Sequence, residues 1–174
     1  PDTSYAVITV VAEGARVSFR GVAAKGWQPV TCAGQAGYIY VLYLTGTASP
    51  GQGEFWMDIN LSTQYLTAYR GNTAVLGTYV STGRLGFDTP TGTFYINSML
   101  LSQTMSGVLG GEYYNVPNVP YVMYFTDRGH AIHGTYWHNN FGHVMSHGCV
   151  NVPVDTAAWL YSQASIGTRV RIHW

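Results

Sequence analysis

The sequence predicts a mainly β protein, and three observations support this class. Short runs rich in β-branched and aromatic residues recur along the whole chain. Turns containing glycine separate these runs every ten residues or so, which is typical of consecutive short strands. A single segment near the C-terminus has apolar residues at helical spacing. We therefore predict a chain of antiparallel β units with one helix.

The composition limits the classes of partner that this chain can bind. Its 174 residues suit one large domain, or one domain with a small companion. Charged residues make up 9% of the chain, against about 25% in soluble proteins in general. The formal net charge is zero, so nothing indicates binding to nucleic acid or to an anionic membrane surface. No run approaches the ~20 apolar residues of a transmembrane segment, and none is predicted.

The first 46 residues contain four short strand-like runs with glycine turns between them. These runs are YAVITVVA, ARVSFRGVA, WQPVTCAG and YIYVLYL, and they predict a small barrel or meander. The pattern resembles the latter part of a bacterial SH3-like domain whose first strand is missing. That resemblance implies a module for peptides or cell-wall material, with a purely structural appendage as the alternative. Residues 47–53 are small and polar and are predicted to be a linker.

A second domain is predicted over residues 54–174. The runs FWMDINLS, QYLTAYRG and AVLGTYVSTG are separated by short turn sequences, which favours consecutive hairpins. The segments FYIN, YVMYF, HAIHG and TRVRIHW continue the strand pattern. Residues 98–120 show no clear periodicity, so we predict an irregular loop that acts as a lid. The helix is predicted from Val154 to Ser165, with Asp155 as its N-cap and Gly167 as its stop signal.

Most of the chemistry-bearing residues lie within the segment 133–151, which holds four of the six histidines and one of the two cysteines. The cysteine could be a zinc ligand, a disulfide partner of Cys32, an inert core thiol or a nucleophile. The intervals between these residues do not fit a zinc site, three glycines disfavour a helix that carries them, and no acidic residue lies among them. The residues considered as zinc ligands are His133, His138, His143, His147 and Cys149. We predict that the chain binds no metal and no cofactor.

The immediate neighbourhood of Cys149 favours the nucleophile. Gly148 allows a close backbone approach, so that successive N–H groups can converge on a developing oxyanion. His133 ends an Ala-Ile-His strand and can lie beside the thiol as a base. A thiolate–imidazolium pair is a general way to activate cysteine at neutral pH.

Four motifs make a family resemblance specific. They are IHG at 132–134, SHGCVN at 146–151, TPTGTF at 89–94 and YWHNNFG at 136–142. Together they resemble the signature of YkuD-type L,D-transpeptidases over residues 54–174. The resemblance implies a β-sandwich catalytic domain with one C-terminal helix.

The resemblance also implies roles for individual residues. Cys149 resembles the nucleophile and His133 the general base, while His147 and Gly148 flank the nucleophile. The backbone amides of residues 147–149 are implied to form the oxyanion hole. The group that orients His133 is either a backbone carbonyl or His147. Many family members carry serine at the position of Gly134, and arginine or asparagine at that of Asn151. The residues expected to contact substrate are Tyr121, Gly134, Trp137, Ser146 and Asn151.

The function implied by the resemblance is acyl transfer on peptidoglycan stem peptides, outside the cytoplasmic membrane. The cysteine attacks the carbonyl of the third stem residue and releases D-alanine, and an amine of another stem captures the thioester as a 3→3 cross-link. Carbapenems are expected to acylate the same cysteine. Two alternatives stay open: an L,D-carboxypeptidase with water as acceptor, and a wall-binding protein with an inert cysteine. His130 and His173 are predicted to be structural or surface residues.

Overall fold

The computed structural model describes residues 18–19, 23–24, 27–32, 35–40 and 53–174. In the N-terminal part, β3 pairs antiparallel with its three neighbours, and β2 also pairs parallel with a strand of the second domain. The SH3-like domain stays a prediction, because the rest of residues 1–46 lies outside the described part, as does most of the predicted linker. The N-terminal strands are β1 (Ser18–Phe19), β2 (Ala23–Ala24), β3 (Trp27–Cys32) and β4 (Gln35–Tyr40).

The first sheet continues from the N-terminal strands and confirms the hairpins predicted after residue 54. Its strands β5, β6 and β7 pair antiparallel in chain order, and β13 joins parallel to β5 and antiparallel to β8. Burial alternates strictly along β5, as expected where one face of a sheet covers a core. These strands are β5 (Phe55–Asn60), β6 (Tyr65–Arg70), β7 (Thr73–Tyr79), β8 (Gly92–Tyr95) and β13 (Arg169–His173).

The second sheet carries the motif residues and has the order β12-β11-β10-β9. Its strands β9 and β10 pair antiparallel, and β12 lies parallel to β11. The strands are β9 (Ser98–Leu109), β10 (Glu112–Tyr124), β11 (Ala131–Thr135) and β12 (Val150–Pro153).

The prediction of an irregular loop at residues 98–120 is wrong, because this segment forms most of the long β9–β10 hairpin. Gly110 and Gly111 make its turn with φ of 56° and 83°, a left-handed conformation that glycine adopts without a Cβ penalty. A register shift between Val116 and Val119 interrupts the alternation of β10. This bulge and the exposure of much of the hairpin hid the strand pattern in the sequence.

The single helix of the second domain, α1 (Val154–Gln163), follows β12 directly. The prediction of the helix is confirmed, but its N-cap was placed too late. Pro153 occupies the N-cap position, so Asp155 lies in the first turn, where a carboxylate interacts favourably with the helix dipole. The helix ends before Ala164, three residues ahead of the predicted stop at Gly167.

The main hydrophobic core lies between the two sheets and the helix. Met57 and Ile59 of β5 contribute from the first sheet, Ile132 of β11 and Val150 of β12 from the second, and Leu160 from α1. All five side chains are fully or almost fully buried. No helix in the described part of the chain is long and apolar enough to span a membrane.

Candidate active site

The pairing of β11 with β12 brings the predicted nucleophile and base to one face of the second sheet. Ile132 pairs with Val150 and His133 with Asn151, and the first pair points into the main core. Because side chains alternate along strands, His133 and Asn151 lie on the opposite face. Cys149 directly precedes β12 and shares that face. Strands about 4.8 Å apart with a rise of about 3.3 Å per residue put the Cα atoms of His133 and Cys149 about 8 Å apart.

The Cys149 thiol lies half-buried against a small apolar cluster. This cluster has Val122 and Ala131 at its centre, and Met105, Val116 and Tyr124 pack against it. The thiol faces the Gly129 carbonyl at 3.7 Å, and the backbone of Ala131 also hydrogen-bonds to it. Cys149 is a free cysteine, so the disulfide alternative is wrong for this structure.

Burial dominates the electrostatics of both groups. It raises the pKa of Cys149 to about 11, although the hydrogen bond to the Ala131 backbone acts in the opposite direction. Burial also lowers the pKa of His133 to about 4, with the Gly134 backbone opposing the change. Both side chains are therefore neutral at neutral pH. The resting site does not favour the thiolate–imidazolium pair that the sequence led us to expect.

The orientation of the His133 ring is set by its own strand. Nδ1 lies 3.1 Å from the Gly134 carbonyl oxygen, and only a protonated Nδ1 can donate to that acceptor. In the neutral ring, Nε2 is then the basic nitrogen, and it has no hydrogen-bond partner among the described residues. The sequence left open whether a carbonyl or His147 orients this ring, and the structure shows the carbonyl. Trp137 packs nearby, with its ring centroid 5.7 Å from that of His133.

His147 lies in a separate group, which we call the outer cluster and define as Arg84, Glu112 and His147. Nε2 of His147 is 3.0 Å from Nη2 of Arg84 and 3.2 Å from the Glu112 carboxylate, and Arg84 also pairs with Glu112. Hydrogen bonds from His147 and Arg84 hold the pKa of Glu112 below its ordinary value. The imidazole ring of His147 stacks on the ring of Tyr114, with centroids 5.7 Å apart. The outer cluster therefore joins the β9–β10 hairpin to the loop that carries Cys149.

That loop is braced by side chains on both sides of Gly148. Ser146 is buried, and its hydroxyl donates to the Cys149 carbonyl at 2.5 Å and accepts the Gly148 amide at 3.1 Å. Thr89 donates to the Gly148 carbonyl at 2.9 Å and accepts the Gly83 amide at the same distance. These contacts fix the backbone around the thiol and occupy the amide of Gly148.

Gly148 is the position in this loop that requires glycine. Its φ is 111°, in the region that residues with a side chain rarely adopt. A Cβ atom there would lie 2.9 Å from Cδ2 of His130 and 3.0 Å from its Nε2. A substitution would therefore strain the backbone and push against a ring.

The residues predicted to contact substrate fall into different places. Trp137 and Asn151 accompany His133, and Asn151 is buried with its side-chain amide 3.0 Å from Nε2 of His138. Ser146 acts as a brace in the loop. Tyr121 does not join them, because its ring packs against Tyr161 of α1 with centroids 5.8 Å apart, on the core side of the sheet.

Gly134 can serve this site only through its backbone. A Cβ atom on Gly134 would lie 2.9 Å from Cγ of Pro120 and 3.2 Å from Cβ of Ala157, so its side-chain position faces the helix. The carbonyl of Gly134 accepts the Nδ1–H of His133. A serine at this position would have to displace these neighbours.

The comparisons with known proteins address the family of this chain. The family model of the L,D-transpeptidase catalytic domain (YkuD) matches residues 54–172, which is more than half of the chain. The chain belongs to this family. The catalytic domain is therefore that of an acyltransferase. No curated protein sequence matches the chain significantly.

Solved L,D-transpeptidase structures share the fold. The catalytic domain of the E. faecium L,D-transpeptidase is 26% identical, with a TM-score of 0.63, and the match covers 70% of this chain and 98% of that one. A Mycobacterium smegmatis L,D-transpeptidase is 23% identical with a TM-score of 0.66, covering 87% and 68%. Mycobacterium tuberculosis L,D-transpeptidase 3 with a faropenem-derived adduct is 20% identical with a TM-score of 0.65, covering 87% and 69%.

Sequence reasoning missed one histidine near the Cys149 thiol. His130 was predicted to be structural or on the surface, yet its ring lies against Gly148. Its Nδ1 and its backbone amide both contact the Thr126 hydroxyl, at 2.8 and 3.1 Å. The Cys149 thiol contacts the backbone of Gly129 and Ala131, the two neighbours of His130 in the sequence. The only signal in the sequence was its place three residues before His133.

The remaining histidines lie away from the thiol. Among the residues that the structure describes, no three His, Cys, Asp or Glu side chains are arranged to hold a metal ion. His143 is exposed on the loop between the two motif halves. His173 contacts Asp58 at 3.1 Å on the first sheet, far along the chain from the motif.

Proposed function

We propose that this chain is a peptidoglycan L,D-transpeptidase that uses Cys149 as its nucleophile and acts outside the cytoplasmic membrane. It cleaves the bond between the third stem residue and D-alanine, and it transfers the acyl group to an amine of a second stem. Membership of the family supports acyl transfer on this polymer. The assignment of Cys149 as nucleophile and His133 as base rests on one observation. The two side chains share a sheet face, and the Gly134 carbonyl fixes the orientation of the His133 ring.

The acylation step is general base catalysis from a neutral pair. Sγ of Cys149 attacks the carbonyl carbon of the third stem residue while its proton passes to Nε2 of His133. Collapse of the tetrahedral intermediate breaks the C–N bond, and the same proton goes from His133 to the departing amine of D-alanine. The enzyme is left as a thioester with a neutral imidazole. Because burial keeps the thiol protonated at rest, proton transfer must accompany the attack.

The oxyanion of the tetrahedral intermediate requires backbone donors near the thiol. The amides of His147 and Cys149 have no hydrogen-bond partner in the described ranges, whereas the amide of Gly148 donates to Ser146. We assign the two unpaired amides as the oxyanion donors. Removing one such donor in other enzymes costs about 10²–10³ in rate, so two would make a large contribution.

Deacylation by an amine rather than by water is supported by the apolar side of the pocket. Met105, Val116 and Tyr124 pack around the thiol and lower the access of water to the thioester. The acceptor amine attacks the thioester carbonyl, gives its proton to Nε2 of His133, and forms an amide. His133 then returns that proton to the departing Cys149 thiolate, which restores the resting site.

The same chemistry predicts covalent inhibition by β-lactams. The related M. tuberculosis enzyme was solved with a faropenem-derived adduct, and another relative in complex with imipenem. In a β-lactam the strained amide takes the place of the scissile peptide bond. We propose that carbapenems acylate Cys149 in this chain by the same attack.

Product analysis on a defined donor tests the proposal. We expect the protein to release D-alanine from a disaccharide-tetrapeptide and to form 3→3 cross-linked dimers, seen by liquid chromatography and mass spectrometry. Cys149→Ala should abolish both products, while Cys32→Ala serves as the matched control and should retain them. Tripeptide monomers without dimers would replace transpeptidation by L,D-carboxypeptidation. No release of D-alanine from a protein with a free Cys149 thiol would contradict both activities.

A further inference from the structure

The contacts of His138 contain a conflict that determines how Asn151 is oriented. The amide N–H of Asn140 donates to Nδ1 of His138 at 3.2 Å, so Nδ1 carries no proton. In a neutral ring the proton must then be on Nε2, which lies 3.0 Å from the amide nitrogen of Asn151. Two donors cannot face each other at that distance. Burial lowers the pKa of His138, which favours the neutral ring that this reasoning requires.

The conflict disappears when the Asn151 amide is rotated by 180° about its last bond. The nitrogen and oxygen of an asparagine amide have almost the same shape, and their positions are assigned from the hydrogen-bond network. After rotation, Nε2–H of His138 donates to Oδ1 of Asn151. The NH₂ group then takes the position of the other amide atom, which has no hydrogen-bond partner within the described part of the chain.

We propose that His138 is a positioning residue that fixes the Asn151 amide with its NH₂ group turned towards the donor substrate, where it binds a carbonyl or carboxylate oxygen. Asn151 pairs with His133 across the strands and shares the sheet face of Cys149. Its NH₂ group therefore lies on the face of the sheet that carries the proposed nucleophile and base. This inference rests on the proposed function for the identity of the substrate, but not for the orientation of the amide.

The surrounding backbone makes this arrangement rigid. Ser81 exchanges two backbone hydrogen bonds with Asn151, at 2.8 and 2.9 Å. The hydroxyl of the same serine donates to the Asn140 carbonyl at 2.9 Å. Ser81 therefore holds both the residue that donates to His138 and the residue that accepts from it. A group fixed from both sides can select the atom type of its ligand, because the amide cannot rotate without losing a hydrogen bond.

The orientation has a consequence for specificity. An NH₂ group pointing at the substrate binds an acceptor oxygen, whereas an Oδ1 atom in the same place would bind an N–H group of the stem. His138 therefore determines which polar group of the donor is bound at this position. Without His138, both orientations of the Asn151 amide become accessible, and part of the population presents the wrong atom.

Kinetics on variants separate positioning from a structural role. We expect His138→Ala to lower kcat/KM for the tetrapeptide donor about tenfold, mostly through KM, as for the loss of one hydrogen bond. His138→Gln, which retains a donor and an acceptor, should recover most of this loss. His138→Ala combined with Asn151→Ala should be no slower than Asn151→Ala alone. His143→Ala, the matched control on the same loop, should behave as wild type.

Additive losses in the double variant would overturn the proposal, since His138 would then act independently of Asn151. Failure of His138→Gln to recover activity would also count against it. Equal losses in His138→Ala and His143→Ala would reduce the effect to the loop as a whole. These readouts require turnover, so a second measurement addresses the amide orientation alone.

The tautomer of His138 is measured by NMR on protein labelled with ¹⁵N and ¹³C, without substrate. We expect the proton on Nε2, and a coupling across the hydrogen bond from Nε2 of His138 to Cγ of Asn151 that is absent in Asn151→Ala. A proton on Nδ1, or a doubly protonated ring at neutral pH, would overturn the orientation. This result does not depend on turnover, so a failure of the proposed function and a failure of this inference are distinguishable.

Discussion

The histidines of the IHG and SHGCVN motifs, His133 and His147, lie in opposite environments. His133 lies sixteen residues before the cysteine, is buried, and has its Nδ1–H tied to a backbone carbonyl. His147 lies two residues before it, is half-exposed, and contacts Arg84 and Glu112 in the outer cluster. The histidine that is farther from Cys149 in the sequence is thus the one that shares its sheet face.

The difference shows that strand register, rather than distance in sequence, decides which histidine can take the thiol proton. The pairing of β11 with β12 aligns His133 with the residue two positions after Cys149. The side chain of His147 instead joins the loop to the hairpin, and its backbone amide is the part that can serve the reaction. We infer that the outer cluster holds the loop against the hairpin, whereas the reaction takes place on the buried sheet face that His133 and Cys149 share.

The largest change that would disturb the buried face without removing a reacting group is Gly148→Ala. The positive φ costs about 1–3 kcal/mol for a residue with a side chain, and the new Cβ meets His130. We expect the acylation rate of Cys149 to fall about 100-fold or more, because the thiol moves relative to His133. Stopped-flow acylation by a carbapenem and thermal unfolding measure the two effects.

Gly142→Ala is the matched control for that change. Its φ is 98°, but a Cβ atom there would meet only Tyr79, at an ordinary 3.6 Å. We expect a similar loss of stability with an acylation rate close to that of wild type. Equal losses of rate in both variants would mean that strain in the loop, and not the place of Gly148 beside the thiol, limits the reaction.

A smaller effect concerns stability in acid. Because the pKa of His133 is lowered to about 4 from an unfolded value of about 6.5, the unfolded chain binds a proton in this range before the folded protein does. Titration of His133 therefore leaves the free energy of unfolding unchanged above pH 6.5. Below pH 6.5 it lowers the free energy of unfolding progressively as the pH falls towards 4, by about 3 kcal/mol in total. Urea unfolding at several pH values measures this decline.

The decline assigned to His133 is isolated by comparison with His133→Gln. This variant lacks the titrating group, so its stability should change less with pH than that of wild type over the same range. Identical pH profiles would show that the imidazole is not held neutral by burial. His130 also has a lowered pKa and remains in both proteins, so its contribution cancels in the comparison.

The sequence was sufficient for the parts of the molecule that local patterns encode. The hairpins of the first sheet follow from alternating runs and short turns, and the strand Ala131–Thr135 follows from its β-branched and apolar neighbours. The helix was also predicted, with its first residue at Val154, but the N-cap was placed at Asp155, because Pro153 ends β12 at the residue where the helical turn begins. The local chemistry around Cys149 favoured a nucleophile with His133 as its base over three other roles for the cysteine, and the resemblance made these proposed roles specific.

What could not be predicted depends on contacts between distant segments. Arg84 and Glu112 lie 63 and 35 residues from His147, and nothing in their local sequence marks them as its partners. The hairpin at 98–120 was hidden because its strands are mostly exposed and lack a continuous apolar face. His130 lies beside Gly148 because of the turn before β11. The conformation of that turn cannot be derived from the sequence.

The acylation rates of two variants test the difference between the two histidines most directly. Intact-mass spectrometry after mixing with a carbapenem follows the adduct on Cys149, with Cys149→Ala as the blank. We predict that His133→Gln slows acylation by about 10²–10⁴-fold, the usual contribution of a general base. His147→Gln keeps its backbone amide and should remain within about tenfold of wild type. A slower reaction in His147→Gln than in His133→Gln would contradict the assignment of His133 as the base.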